Sequence, residues 1–167
     1  MIPMARPTMG DEEKEAVARV LDSGMLAHGP EVESFEEEFA SYCGVSHGAA
    51  VSSGTSAIHL ALAALDIGPG DEVITTSFSF IASATPILFL GAKPVFVDID
   101  PRTFNMDPDL LGAALSERTR AIIPVHLYGQ CCDMDRILSE AGDVPVLEDC
   151  AQAHGALYRG KKAGSMG

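Results

Sequence analysis

Glu72-Val73-Ile74-Thr75-Thr76-Ser77-Phe78-Ser79-Phe80 runs through the apolar stretch Ile81–Leu90 into Pro94-Val95-Phe96-Val97-Asp98-Ile99, and it decides the fold. Glu72–Thr76 and Pro94–Ile99 are short runs rich in β-branched residues rather than polar–apolar alternations. Strands covered on both faces read this way. The predicted Phe80–Leu90 helix between them is a crossover, which parallel strands need and a hairpin does not. The same rhythm continues on both sides. Upstream, Ala49–Ser52 reads as a strand and Thr55–Leu65 as an Ala/Leu-rich helix. Downstream come a helix at Asp107–Leu115, a strand at Ala121–Val125, a helix at Met134–Ala141 and a strand at Pro145–Leu147. The expectation is an α/β domain over 48–167, with a mostly parallel sheet flanked by helices. After Asp149 no closing helix follows, so the fold is expected to be incomplete at its C-terminus.

Residues 1–47 read as a separate N-terminal helical segment. Thr8 followed by Asp11 resembles a capping box, and Val17, Val20 and Leu21 form a stripe that ends at Ser23-Gly24. Pro30 opens a second helix, with Glu31 and Glu33 at the positive end of its dipole. Val32, Phe35, Phe39 and Tyr42 recur at helical spacing until Gly44, and Glu36-Glu37-Glu38 is a solvated face.

Composition limits the function classes. The 167 residues are 47% hydrophobic and 21% charged, which excludes a disordered chain. A single domain of this length buries about 68–70% of its unfolded surface. Ile81–Leu90, interrupted by Ser83, Thr85 and Pro86, falls far short of the ~20 apolar residues a bilayer span needs. Met1-Ile2-Pro3-Met4-Ala5-Arg6 carries no signal-peptide pattern. Eleven Lys and Arg against 24 Asp and Glu give a net charge of −13. A chain so acidic repels phosphate backbones and anionic lipid, so neither nucleic acid nor membrane is an expected partner. Cys43, Cys131, Cys132 and Cys150 form no C-x-x-C pair, so no metal site or disulfide framework is expected and the setting is read as reducing and cytoplasmic.

Ligands of parallel sheets gather beyond the carboxyl ends of the strands, where four segments fall. Ser52-Ser53-Gly54-Thr55-Ser56 is either an ordinary hydroxyl cap or a helix N-terminus offering free N–H groups to an anion. Thr76-Ser77-Phe78-Ser79-Phe80 places two aromatics at a strand end, for core packing or for stacking on a planar ring. Val125-His126-Leu127-Tyr128-Gly129-Gln130 is a turn with a satisfied histidine or a polar site. In Glu148-Asp149-Cys150-Ala151-Gln152, strand parity puts the two carboxylates on opposite faces, against a paired acid/base site. A buried ionised Asp149 needs donors or a cation, such as a protonated pyridine nitrogen, unless it only caps the following turn.

In order along the chain, these segments resemble the DegT/DnrJ/EryC1/StrS family of pyridoxal-phosphate sugar aminotransferases, from about Met4 to Gly167. The resemblance runs through Ser53-Gly54-Thr55-Ser56-Ala57, Gly68-Pro69-Gly70-Asp71-Glu72-Val73-Ile74 and Ser77-Phe78-Ser79-Phe80-Ile81-Ala82. It continues through Gly91–Asp100 and Pro124–Gln130 to Glu148-Asp149-Cys150-Ala151-Gln152-Ala153-His154-Gly155. It implies an aspartate-aminotransferase-like (fold type I) large domain, of which 48–167 is the first part, with the small C-terminal domain absent. It also implies pyridoxal 5'-phosphate as cofactor. On that likeness Gly54, Thr55 and Ser56 hold the phosphate, Phe80 stacks on the pyridine ring, Asp149 pairs with the ring N–H, and Gln152 bonds the ring hydroxyl. The implied reaction moves an amino group from glutamate or glutamine onto a keto-sugar nucleotide, in a homodimer when the protein is full length.

The family's Schiff-base lysine lies in a motif resembling F-S-F-x-x-x-K-N, roughly a dozen residues beyond Gly167. Lys161 and Lys162 match a basic surface turn instead, so the 167 residues alone are expected to be inactive. Alternatives within the resemblance are a PMP-dependent sugar dehydratase, with His in the lysine's place, and a non-catalytic regulatory or sensor protein on the same fold. A dinucleotide-binding oxidoreductase is disfavoured, because Val51-Ser52-Ser53-Gly54-Thr55-Ser56 supplies no G-x-G-x-x-G turn.

Overall fold

The computed structural model describes residues 6–167. Of the signal-peptide reading of Met1–Arg6, residues 1–5 lie outside the described residues, as does the start of the family resemblance at Met4. Helices α1 (Asp11–Ser23), α2 (Pro30–Cys43) and α3 (Gly54–Ala64) lead into strand β1 (Glu72–Thr76). A 3-10 turn (Ile81–Ser83), α4 (Thr85–Phe89), β2 (Lys93–Val97), α5 (Pro108–Ala114) and β3 (Thr119–Ile123) follow. A second 3-10 turn (Leu127–Gly129), α6 (Met134–Ala141) and a short hairpin, β4 (Leu157–Tyr158) with β5 (Lys161–Lys162), complete the order.

The sheet is parallel, ordered β2-β1-β3. Residues 145–149 extend it beyond β3. Ile122 N–H donates to Pro145 O and Leu147 N–H to Ile122 O, then His126 N–H to Asp149 O and Asp149 N–H to Pro124 O. The predicted Pro145–Leu147 strand is therefore present as bridged, parallel backbone. Two cores sandwich the sheet. Side chains alternate across each strand, so Val73, Ala121 and Ile123 meet Ile58, Leu62 and Ile87 of α3 and α4. Ile74, Val97 and Ile122 pack on the opposite face against Leu111, Met134 and Ile137 of α5 and α6. β1 and β3 are buried as their unalternating sequences predicted, whereas β2 is only partly covered, with Phe96 52% exposed.

Four expectations need correction. Ala49–Ser52 forms no strand ladder among the described residues; Ala50 N–H instead donates to Glu36 Oε1 at 2.7 Å. The Phe80–Leu90 helix is broken into a 3-10 turn and α4, because Pro86 has no N–H to continue a single ladder. Gly10, not Thr8, caps α1; its extended backbone lets its N–H donate to Glu13 Oε2 at 2.6 Å. The apolar stripe of α1 also stays uncovered: no α1 residue is buried, and Val17 is 57% exposed. α2 is tied down better, since Phe39 meets His154 edge-on at 5.8 Å and the Lys162 ammonium sits over the Tyr42 ring.

This asymmetry predicts the mutational pattern. Leu62→Ala, at a fully buried position, is expected to lower the unfolding free energy by about 3 kcal/mol. Val17→Ala is expected to change it by less than about 0.5 kcal/mol. Urea denaturation of both variants checks the contrast, and equal losses would contradict the placement of the core.

Candidate functional site

The chain steps from β1 to β2 on one side and then to β3 on the other, so the sheet reverses its winding direction between β1 and β3. A crevice beyond the strand ends is expected at such a switch point. A cavity of about 200 Å³ lies there, and five of the six sequence-predicted residues line it: Gly54, Thr55, Phe80, Asp149 and Gln152. They come from three separate segments that only the fold brings together. Ser56 does not line it. Its hydroxyl turns back toward Ser53 Oγ at 3.0 Å and Ser52 Oγ at 3.1 Å.

α3 presents its N-terminus to this cavity. Ser53 is extended (φ −166°) and its Oγ accepts from Ser56 N–H at 3.2 Å. That cap satisfies one of the orphan N–H groups of the first turn and leaves those of Gly54 and Thr55 for an anion. A second cavity of about 350 Å³ adjoins the first through Phe80 and Gln152, with Phe78 and Tyr128 on its wall. Phe80 is 70% exposed, an uncovered aromatic face at the shared mouth.

Asp149 is 9% exposed. Its Oδ2 accepts from Ser83 Oγ at 2.7 Å and its Oδ1 from Ala151 N–H at 3.1 Å. Among the described residues no Lys, Arg or His forms an ion pair with it. A buried carboxylate with two donors and no cation, facing a cavity, has its own requirement for a positive partner. Gln152 is set by its neighbour: Tyr128 N–H donates to Gln152 Oε1 at 3.0 Å. The amide NH₂ is then the end left to donate elsewhere. Tyr128 holds that N–H in place with a left-handed backbone (φ 53°), a strained choice for a non-glycine residue.

The structure resolves the open readings of His126. It is fully buried, with Nδ1 accepting from Cys132 N–H at 3.0 Å and Nε2 2.8 Å from Glu148 Oε2. An accepting Nδ1 puts the ring proton on Nε2, toward the carboxylate. His126 is a satisfied core histidine. As parity predicted, Glu148 points away from Asp149. Besides His126 it accepts from the N–H groups of Gly164, Met166 and Gly167 at 3.0, 2.6 and 2.8 Å. Burial alone would raise its carboxyl, but these four donors hold it down at about 2. Cys150 Sγ lies within 4.8 Å of both side chains, a spacing that could suit a metal ion. The hydrogen bonds already fill the carboxylate, however, and burial pushes the Cys150 thiol up, away from the thiolate a metal requires. Sequence reasoning missed Ser83, the Tyr128 N–H and the Glu148 hub. Ser83 carried one faint signal, a hydroxyl inside an apolar run.

The family model "DegT/DnrJ/EryC1/StrS aminotransferase family" matches residues 7–167. The GDP-perosamine synthase of Caulobacter vibrioides is 51% identical over 99% of this chain and 46% of its own length. The aminotransferase from Psychrobacter cryohalolentis superposes with a TM-score of 0.94 at 45% identity, over 99% of this chain and 43% of that one. A GDP-4-keto-6-deoxymannose-3-dehydratase, solved with a trapped PLP-glutamate geminal diamine, gives 0.93 at 36% identity, over 99% and 45%. The chain thus spans under half the length of these relatives.

The Glu148 hub predicts an acid-sensitive contribution to stability. Its folded value lies below the ordinary 4.5, so the stabilisation is present above that pH and is lost as pH falls from about 4.5 to about 2. Unfolding free energies measured across this window should drop more steeply for the wild type than for Glu148→Gln. Parallel slopes would remove the hub from the account.

Proposed function

The chain belongs to the DegT/DnrJ/EryC1/StrS aminotransferase family, and on that premise we propose that its cavity is the pyridoxal-phosphate cradle of a nucleotide-sugar aminotransferase. The observation that carries this is the buried, cation-free Asp149 carboxylate, on the same cavity as a helix N-terminus and an exposed aromatic ring. A phosphorylated pyridine matches all three at once: an anion for α3, a flat ring for Phe80 and an N–H for Asp149. Residues 48–167 are then the first part of the cofactor-binding large domain of an aspartate-aminotransferase-like fold, behind the helical segment 1–47.

Pyridoxal phosphate, when bound, supplies an electron sink for the pair left on carbon as a proton departs. The residues of the chain do the rest. The Gly54 and Thr55 N–H groups bind the phosphate with the dipole of α3, without any cationic side chain. Phe80 covers one ring face. Asp149 accepts the ring N–H and keeps that proton on nitrogen. The Gln152 NH₂ donates to the ring oxygen, in an orientation that Tyr128 sets.

The full-length protein is proposed to take its amino group from glutamate or glutamine and pass it to a keto-sugar nucleotide, as a cytoplasmic homodimer. The higher identity to a perosamine synthase than to the dehydratase supports amino transfer over dehydration. Proton transfer between substrate and cofactor needs a lysine that this chain does not bring to the cavity. Lys14 pairs with Asp11, Lys93 pairs with Glu72, and Lys161 and Lys162 sit on the β5 strand of the hairpin.

Two measurements test the reading. In the full-length protein, Asp149→Ala is expected to weaken pyridoxal-phosphate binding at least tenfold, followed by absorbance titration. Wild-type affinity in that variant would end the assignment. For the 167-residue chain, borohydride reduction should leave no stoichiometric pyridoxyl label, and specific labelling of Lys161 or Lys162 would reverse their placement on a surface turn.

A further inference from the structure

Ser83 is a buried hydroxyl that the cradle described above does not use. It ends the 3-10 turn after Phe80, is 2% exposed, and is followed by the buried Ala84, Pro86 and Ile87. A hydroxyl is kept in such a place only if it is bonded. Its partner is Asp149, 66 residues on, whose Oδ2 lies 2.7 Å from Ser83 Oγ. Ser79 Oγ is the other neighbour, at 3.3 Å. A hydroxyl has one hydrogen, and an ionised carboxylate can only accept. Ser83 therefore gives its hydrogen to Asp149 and accepts from Ser79.

The two donors to Asp149 reach different oxygens from different elements, Ser83 to Oδ2 and Ala151 N–H to Oδ1. Ala151 is two residues from Asp149, so its bond follows the local turn and does not choose a side-chain rotamer against the rest of the protein. Ser83 is anchored at the end of a different strand connection, and among the described residues its bond alone ties the carboxylate to the β1 side of the cavity. The other charged group beside Asp149 in sequence, Glu148, is occupied on the far side by His126 and the 164–167 backbone. No Lys or Arg lines the cavity.

We propose that Ser83 is a positioning residue: its hydroxyl holds the Asp149 carboxylate in one rotamer, aimed into the cavity, where a protonated pyridine nitrogen is received. The role rests on the cofactor reading of Asp149, the residue through which Ser83 acts. Ser79, donating from the segment that carries Phe80, links the placement of the ring-stacking side chain to that of the carboxylate.

The test compares Ser83→Ala with Ser83→Thr in the full-length protein, the threonine keeping the hydroxyl. The first readout needs no cofactor: ligand-free crystal structures should show one Asp149 conformer in wild type and Ser83→Thr, and split occupancy in Ser83→Ala. The second is affinity for pyridoxal phosphate, expected to fall about tenfold in Ser83→Ala and to stay within about threefold of wild type in Ser83→Thr. Should Ser83→Ala fail to fold, Ser83→Cys, with a weaker donor of similar size, is expected to loosen Asp149 in the same sense. A single unchanged Asp149 conformer in the alanine or cysteine variant overturns the proposal, as does a threonine variant no better than alanine. If the wild type itself does not bind pyridoxal phosphate, the cofactor reading falls, while the conformer comparison still decides whether Ser83 places Asp149.

Discussion

The parallel pairing of residues 145–149 with the end of β3 sets the geometry of the site. Four backbone hydrogen bonds, through Ile122, Pro124 and His126, lock this segment in register. Strand alternation then sends consecutive carboxylates in opposite directions. Asp149 enters the cavity and meets Ser83, while Glu148 enters the opposite side and meets His126. A slip of one residue would exchange them, placing Glu148 in the cavity and Asp149 in a pocket built for a longer side chain. The chemistry of the site is thus held by backbone register before any side-chain contact adds to it.

Glu148 reinforces that register from outside the sheet. Its carboxylate gathers the N–H groups of Gly164, Met166 and Gly167 together with the His126 ring, so residues far apart in the chain share one charge. An unpaired buried carboxylate is costly, and these donors offset that cost only when 145–149 and 164–167 are both in place. Folding of the C-terminal turn and placement of Asp149 are therefore coupled through the residue next to it. Asn105, also buried, adds a neutral counterpart by accepting from Leu127 N–H and donating to Gln130 O, which steadies the turn that carries Tyr128.

Much of this was legible in the sequence. Glu72–Thr76 and Met134–Ala141 coincide with their predicted bounds, because continuous apolar runs and a strong helical stripe leave few alternatives. Five of the six residues that the family resemblance singles out line one cavity. What was not legible depends on tertiary pairing. Ala49–Ser52 carries strand-like composition, but composition cannot supply a neighbouring strand, and Ala50 bonds Glu36 instead. Ser83 and Glu148 gain their meaning from partners 66 and 22 residues away, beyond any periodicity or capping signal. Tyr128 departs further from local preference, since its left-handed backbone contradicts an aromatic's propensity and accompanies a bond to a carboxamide 24 residues away.

The charge balance bears on how an anion could be held at all. With a net charge of −13, the protein's average field opposes a phosphate, and no Lys or Arg lines the cavity to reverse it locally. A helix end meets the problem differently. The free N–H groups of α3 act over a few ångströms through fixed partial charges, whereas the acidic surface groups are spread through solvent and screened beyond about 8–10 Å. Short-range donors can therefore dominate inside a cavity while the long-range repulsion affects mainly the approach of the ligand. Added salt should then speed association by screening that repulsion and leave dissociation little changed, the reverse of a lysine-lined phosphate site. Stopped-flow binding of pyridoxal phosphate at two ionic strengths distinguishes the two, and an association rate that falls with salt would mean that cations outside the described cavity hold the phosphate.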